Sequence, residues 1–356
     1  MRVIQVIGSR GGGGAERFYV RLAKALQQAG VAVLTLHPPD SFVARELGPA
    51  VDQHLLPMRG VWDLLARQRI RRLARRFDAD IVQTWMGRAT RLTHLPAGRR
   101  PVHLARLGGY YDLRGYRHAH AWVGNTRGIR DHLIAGGLPS QRVFHIGNFV
   151  EPAAPVDGAS LAALRARLGL PPAARVILGL GRLHPNKGFA DLLAAFDRLP
   201  ATIHGQPLHL LIVGDGPLRD ALRRQGDGLA AAPRIHWAGW TQDPRPYYRL
   251  AELFVCPSRH EPLGNVILEA WQQGLPVIAT ASAGARELMA SGQGGRLVPV
   301  ADPAALARSL HELLDQPGML ARLGREGQAL LARHHSAEVV VADYLRCYES
   351  LLASCT

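Results

Sequence analysis

Short apolar runs alternate with stretches in which apolar residues recur every three or four positions, and this pattern covers most of the chain. VIQVIG (3–8) reads as a strand, with a helix from about 16 to 29; VAVLTLH (31–37), ADIVQTW (79–85), PVHLARLG (101–108) and AWVGNT (121–126) continue the series. A second series comprises VILGLGRL (176–183), LHLLIVGDG (208–216), RIHWAGW (234–240), LFVCPS (253–258), PVIAT (276–280) and GRLVPV (295–300). Near-continuous apolar strands alternating with helices predict parallel sheets covered on both faces, that is, α/β architecture. The Pro-, Ala- and Gly-rich segment 148–160 separates the two series and is read as a linker. The expectation is two doubly wound, Rossmann-like domains, 1–150 and 151–335, facing across a cleft, with ligands at the carboxyl ends of strands. Residues 336–356 end the chain with an amphipathic helix whose domain the pattern leaves open.

Length and composition agree: 356 residues favour two domains, and 47% hydrophobic content supplies their cores. Three cysteines (Cys256, Cys347, Cys355) without a CxxC pair give neither a disulfide framework nor a zinc site, and fit a reducing compartment. The first residues lack the pattern of a signal peptide, and no apolar run is long enough to span a bilayer. A cytoplasmic protein, soluble or peripheral on the cytoplasmic face of the inner membrane, is expected. The formal charge of +15 favours polyanionic partners, although arginine enrichment from base composition competes as an explanation.

Three loops carry candidate chemistry. GSRGGGGAER (8–17) joins a strand to a helix, where glycines admit a ligand to the backbone and helix N–H groups face an anion. It lacks the Gly-Lys-Ser/Thr of a Walker loop, and the second strand ends in His37-Pro38-Pro39 rather than in the acid of a dinucleotide fingerprint. GRLHPNKG (181–188) brings Arg182 and Lys187 to a strand end, two cations suited to a pyrophosphate. Lysine occurs elsewhere only at Lys24, so composition hardly accounts for Lys187. CPSRHEPLGNVILEAW (256–271) is strand, loop and helix; Gly264, Asn265 and Val266 offer N–H groups at the helix start. Glu261 precedes that helix, near whatever group the phosphates carry, and Glu269 lies within it, placed to accept hydrogen bonds from a diol such as ribose.

With E-x7-E, G-R-L-x3-K-G and G-G-A-E, the chain resembles the retaining GT-B glycosyltransferases of family 4, and IVGDGPLRDAL (212–222), LEAWQQGLPVIAT (268–280), GARELM (284–289) and GRLVPVADPAALA (295–307) extend the resemblance. It implies transfer, with retained anomeric configuration and without a metal or other cofactor, from a nucleotide-diphosphate sugar such as a UDP-sugar to a glycan or lipid-linked acceptor of cell-envelope polysaccharide or lipopolysaccharide synthesis. Arg182 and Lys187 would clamp the diphosphate, Glu269 the ribose and Glu261 the donor sugar. The N–H groups of Gly264 and Asn265, with Gly13 and Gly14 from the other domain, would meet the distal phosphate. Asp78-Ala79-Asp80 reads as a polar lead-in to a strand rather than a metal site. Many relatives carry a histidine where this chain has RLGGYYD (106–112), which leaves Tyr110, His118 and His120 as substitutes on the acceptor or sugar side.

WDLLARQRIRRLARRF (62–77) places Trp62, Ala66, Ile70, Leu73 and Phe77 on one helical arc and Arg67, Arg69, Arg71, Arg72, Arg75 and Arg76 around it. Because that apolar arc cannot serve both a core and a bilayer, the expectation is electrostatic docking of the arginine face on an anionic membrane, without insertion. Two rivals explain part of the sequence: a basic nucleic-acid-binding protein accounts for the charge but not for E-x7-E, and no nucleic acid partner is expected; a GT-B epimerase or hydrolase accounts for the site but not for an acceptor.

Overall fold

In this computed structural model, which describes residues 1–152 and 155–354, β1 (Arg2–Ile7) is buried from Val3 onward, as a strand covered on both faces must be. With β2 (Ala32–His37), β3 (Asp52–Leu55), β4 (Ile81–Trp85), β5 (Val102–Leu107), β6 (Ala121–Gly124) and β7 (Val143–His145) it forms a parallel seven-stranded sheet of order β3-β2-β1-β4-β5-β6-β7. The second sheet takes β8 (Arg175–Leu180), β10 (Gln206–Val213), β11 (Ile235–Gly239), β12 (Leu253–Cys256), β13 (Val277–Thr280) and β14 (Gly295–Val298) in the parallel order β11-β10-β8-β12-β13-β14. The short β9 (Thr202–Ile203) pairs antiparallel with β10. Both sheets are doubly wound: the order reverses at β1 in the first and at β8 in the second, and such reversals open a crevice at the carboxyl ends of the flanking strands.

The chain divides into unit 1, Met1–Glu151 with His334–Thr356, and unit 2, Pro152–Arg333. The final helix, Ala337–Ala353, therefore belongs to unit 1, where Tyr344, Tyr348 and Leu351 share a core with Phe18, Tyr19 and Trp85. Its polar contacts are equally specific: Tyr348 donates to Gln83 Oε1 at 2.7 Å and Arg106 Nε donates to the Tyr344 hydroxyl at 3.1 Å. Unit 2 has its own core of Ile177, Leu192, Phe196, Leu210, Val255 and Leu310 among others.

One sequence expectation needs correction. Trp62 does not join the buried arc of its helix, which begins at Leu64 with Asp63 as N-cap, the carboxylate accepting from Ala66 N at 3.0 Å. The buried face is Ala66, Ile70 and Ala74, with Leu73 and Phe77 packed alongside, while Trp62 is 86% exposed. Of the six arginines, Arg67 is half-buried and the other five are exposed.

Candidate functional site

The strongest constellation stands where β8 and β12 leave the second sheet. β8 delivers Gly181 and Arg182, and a short turn at Pro185–Lys187 then presents Lys187. Gly188 follows with φ of 66°, and a Cβ there would lie 2.0 Å from the carbonyl oxygen of Pro257, so only glycine lets this loop press against the loop after β12. The contact seats the Lys187 ammonium on Glu261 Oε2, a close ion pair in which the glutamate side chain is 11% exposed and the lysine 28%. Arg182 is exposed at the same strand end.

Glu261 is fixed from several sides. Ser258 Oγ donates to its Oε2 at 3.4 Å, and Thr280 Oγ1 holds the Ser258 carbonyl at 2.5 Å. Gly284 N donates to the Glu261 carbonyl at 2.8 Å, and a Cβ on Gly284 would meet Leu263 backbone at 2.4 Å. GARELM thus braces the acidic loop from below. Arg259 forms a two-pronged pair with Asp191 at 2.7 and 2.8 Å, tying the same loop to the helix after Lys187.

The helix Asn265–Gln272 starts from Gly264, at φ of 92° and without a side-chain cap. Glu269 lies about one turn into this helix, half-buried, and accepts from the Tyr248 hydroxyl at 3.3 Å. The hydroxyl of the buried Tyr248 also lies 3.3 Å from Val266 O, so its one proton is shared between the helix backbone and its carboxylate. Tyr248 comes from Arg245–Leu250, a segment with no motif. The neighbouring Cys256 is no nucleophile: burial first, and the Glu261 charge second, push its thiol up to about 11.

In unit 1 the glycine loop occupies the equivalent switch point. Gly13 and Gly14 open the helix Gly14–Gln28, and Gly13 caps it through backbone only. Glu16, buried in its first turn, accepts closely from Ser9 Oγ, and Arg88 Nη1 donates to Gly8 O at 3.0 Å. Tyr110 follows β5 at the carboxyl edge, 41% exposed, its ring 5.4 Å from that of His132.

His118 and His120 are a different matter. They precede β6 and stand at the amino edge of the sheet, away from the carboxyl ends. His118 Nε2 lies 2.9 and 3.1 Å from the carbonyls of Thr90 and Thr93, and its ring stacks on His94 at 4.1 Å. His120 Nε2 contacts Leu95 O at 3.2 Å. Both rings pack around the buried His103, so the structure does not bring them to the carboxyl edge beside Tyr110. The conspicuous side chain of RLGGYYD is instead Arg106, 3% exposed, bonded to Asn148 Oδ1 and lying over the rings of Trp85 (4.4 Å) and Phe18 (4.8 Å). Asp80 accepts from Arg2 N (2.8 Å) and Arg100 Nη1 (2.9 Å), as a strand lead-in should. Among the described residues, no group of three or more His, Cys, Asp or Glu is placed to hold a metal ion.

Two doubly wound units are the architecture of the GT-B fold. The chain belongs to the family-4 type of GT-B glycosyltransferase: residues 174–316 match the model described as Glycosyl transferases group 1, and residues 12–154 that described as Glycosyltransferase Family 4. It is 33% identical over 96% of both chains to the lipopolysaccharide core biosynthesis glycosyltransferase LpsE of Rhizobium meliloti (strain 1021). It is 31% identical to the lipopolysaccharide core biosynthesis glycosyltransferase LpsD of the same strain, over 95% of both chains. Among solved structures, Anabaena Alr3699/HepE in complex with UDP and glucose superposes with a TM-score of 0.82, at 19% identity, over 98% of this chain and all of that one.

Proposed function

We propose that this glycosyltransferase moves a sugar from a UDP-sugar, with retention of anomeric configuration, to a growing lipopolysaccharide core or a related cell-envelope glycan. The observation that carries the reading is the partly buried Lys187–Glu261 pair at the β8–β12 switch point, with Glu269 about one turn along the adjoining helix. The acceptor class is supported by the names of the two Rhizobium relatives, and the nucleotide by the UDP complex of the Anabaena protein.

Arg182 and Lys187 donate to the diphosphate and stabilise it as it departs. Lys187 carries three N–H donors, so it can hold Glu261 and a phosphate oxygen together. Glu261 accepts from a donor-sugar hydroxyl, Glu269 accepts from the ribose diol, and Tyr248 keeps Glu269 in place. The helix starting at Gly264 aims backbone N–H groups at the distal phosphate. The acceptor oxygen forms its bond to the anomeric carbon on the face the diphosphate vacates, and its proton passes to a phosphate oxygen. With the charge neutralised by side chains and N–H dipoles, the step requires no metal.

The test is a thermal-shift screen with UDP, GDP, ADP and their sugars, followed by NMR of the product anomer. UDP at about one hundred times its Kd is expected to stabilise by about 2.7 kcal/mol. A shift with GDP or ADP alone overturns the UDP assignment, an inverted product overturns retention, and consumption of the sugar at equal rate without acceptor points to an epimerase or hydrolase.

A further inference from the structure

Lys187, whose ammonium sits on Glu261, ends a turn that has little of its own to hold it. Pro185–Lys187 is closed by one backbone hydrogen bond, Lys187 N donating to His184 O at 2.9 Å, and both Pro185 and Asn186 are exposed. Single turns of this tight kind have poor hydrogen-bond geometry. Pro185 carries no N–H, so the first orphan donor of the turn is Asn186 N. That N–H donates to Nδ1 of His184 at 3.3 Å. The imidazole thus stands where a Ser, Thr, Asp or Asn side chain usually caps.

The other face of Asn186 reaches the acidic loop. Its carbonyl accepts from His260 N at 3.1 Å, one residue before Glu261. The ring of His184 fixes Asn186, and Asn186 spans to the backbone beside Glu261. Two loops whose side chains must pair, Lys187 with Glu261, are thereby kept in register by a half-buried histidine. The chemistry of the cap matters as well as its place. An imidazole whose Nδ1 accepts is neutral and carries its proton on Nε2. An aspartate would cap as well, but would set a negative charge between Arg182 and Lys187, against any diphosphate they hold. We propose that His184 is a positioning residue for the donor diphosphate, acting through Lys187: it holds the turn that presents the ammonium and adds no charge to the site. The inference rests on the proposed diphosphate site and deepens it by naming the side chain that sets its lysine.

The experiment is calorimetric titration of the full chain with UDP, which needs no acceptor. Wild type is compared with H184A, H184N, H184D, K187A and H184A/K187A, each checked for its melting temperature. H184A should raise the UDP Kd about fivefold, the scale of one lost cap. H184N restores a neutral acceptor to the turn and should bind within about twofold of wild type. H184D caps but opposes the phosphates, and should raise the Kd about tenfold. Because His184 acts through Lys187, adding H184A to K187A should cost less than about twofold more. The inference alone is overturned if wild type binds UDP and H184A or H184D binds it equally well, if H184N is as weak as H184A, or if H184A costs its full loss again in the K187A background. A wild type that binds none of UDP, GDP and ADP overturns the proposed function and this inference with it.

Discussion

In unit 1 the loop leaving β1 closes on its own carboxylate, with Glu16 hydrogen-bonded by Ser9 in the first helical turn. In unit 2 the loops leaving β8 and β12 close on a cation–carboxylate pair, Lys187 with Glu261. The topology at the two points is the same, yet only the second places a fixed ammonium beside an uncapped helix start. A carboxylate in the first turn already supplies the negative charge that the helix dipole favours, so the unit 1 loop has less to offer an anion. A shared fold thus supplies two crevices, and side-chain charge distinguishes them: only the unit 2 crevice, under the proposed function, is suited to a diphosphate.

The largest expected effect separates the two loops directly. Lys187→Ala should lower turnover by about 10²–10³, the scale of one lost oxyanion donor, whereas Glu16→Gln should cost less than about tenfold. Steady-state kinetics giving equal losses would break the comparison. Next comes the backbone. Gly284→Ala forces a Cβ against Leu263 backbone, and a loss of about 1–3 kcal/mol in urea unfolding is expected. Gly12→Ala meets only the Phe42 ring at 2.8 Å, a side chain able to turn, and should cost less. Tyr248→Phe removes one hydrogen bond to Glu269, so the donor KM should rise about fivefold with kcat little changed.

The smallest effect concerns acid. Burial is the main cause holding His103 of unit 1 well below the ordinary 6.5, with His118, His120 and His94 adding to it; burial and then His236 hold His209 of unit 2 down at about 4. Both folds keep these rings neutral while the unfolded chain takes up protons below about pH 6.5, so stability complete above that pH is lost as pH falls. A melting temperature that falls modestly between pH 7 and pH 5, less so in His209→Gln, is the expected calorimetric result. A rise would contradict the packing of both clusters.

The strands were legible because parallel strands covered on both faces must be apolar almost throughout, as in VILGL (176–180) and VIQVI (3–7). β3 was not: DQHL is an exposed edge with no apolar signal. The residues that pair in unit 2 were legible from a rare lysine and the E-x7-E spacing, Lys187 meeting Glu261. Tyr248 escaped because its hydroxyl reaches Glu269 only through the packing of a separate segment, and Arg106 because a histidine was sought at its strand end. The misplaced Trp62 had a signal that could have corrected it: Asp63 before the apolar repeat is an N-cap, which leaves residue 62 outside the helix.

The return of Ala337–Ala353 to the first sheet gives the molecule an order of assembly. On the ribosome, the 182 residues from Pro152 to Arg333 are complete before the tyrosines that fill the N-terminal core have been made. The half of the enzyme translated first is therefore the half that must wait, with a strip beside Phe18 and Trp85 left unsealed until Ala337–Ala353 has been made.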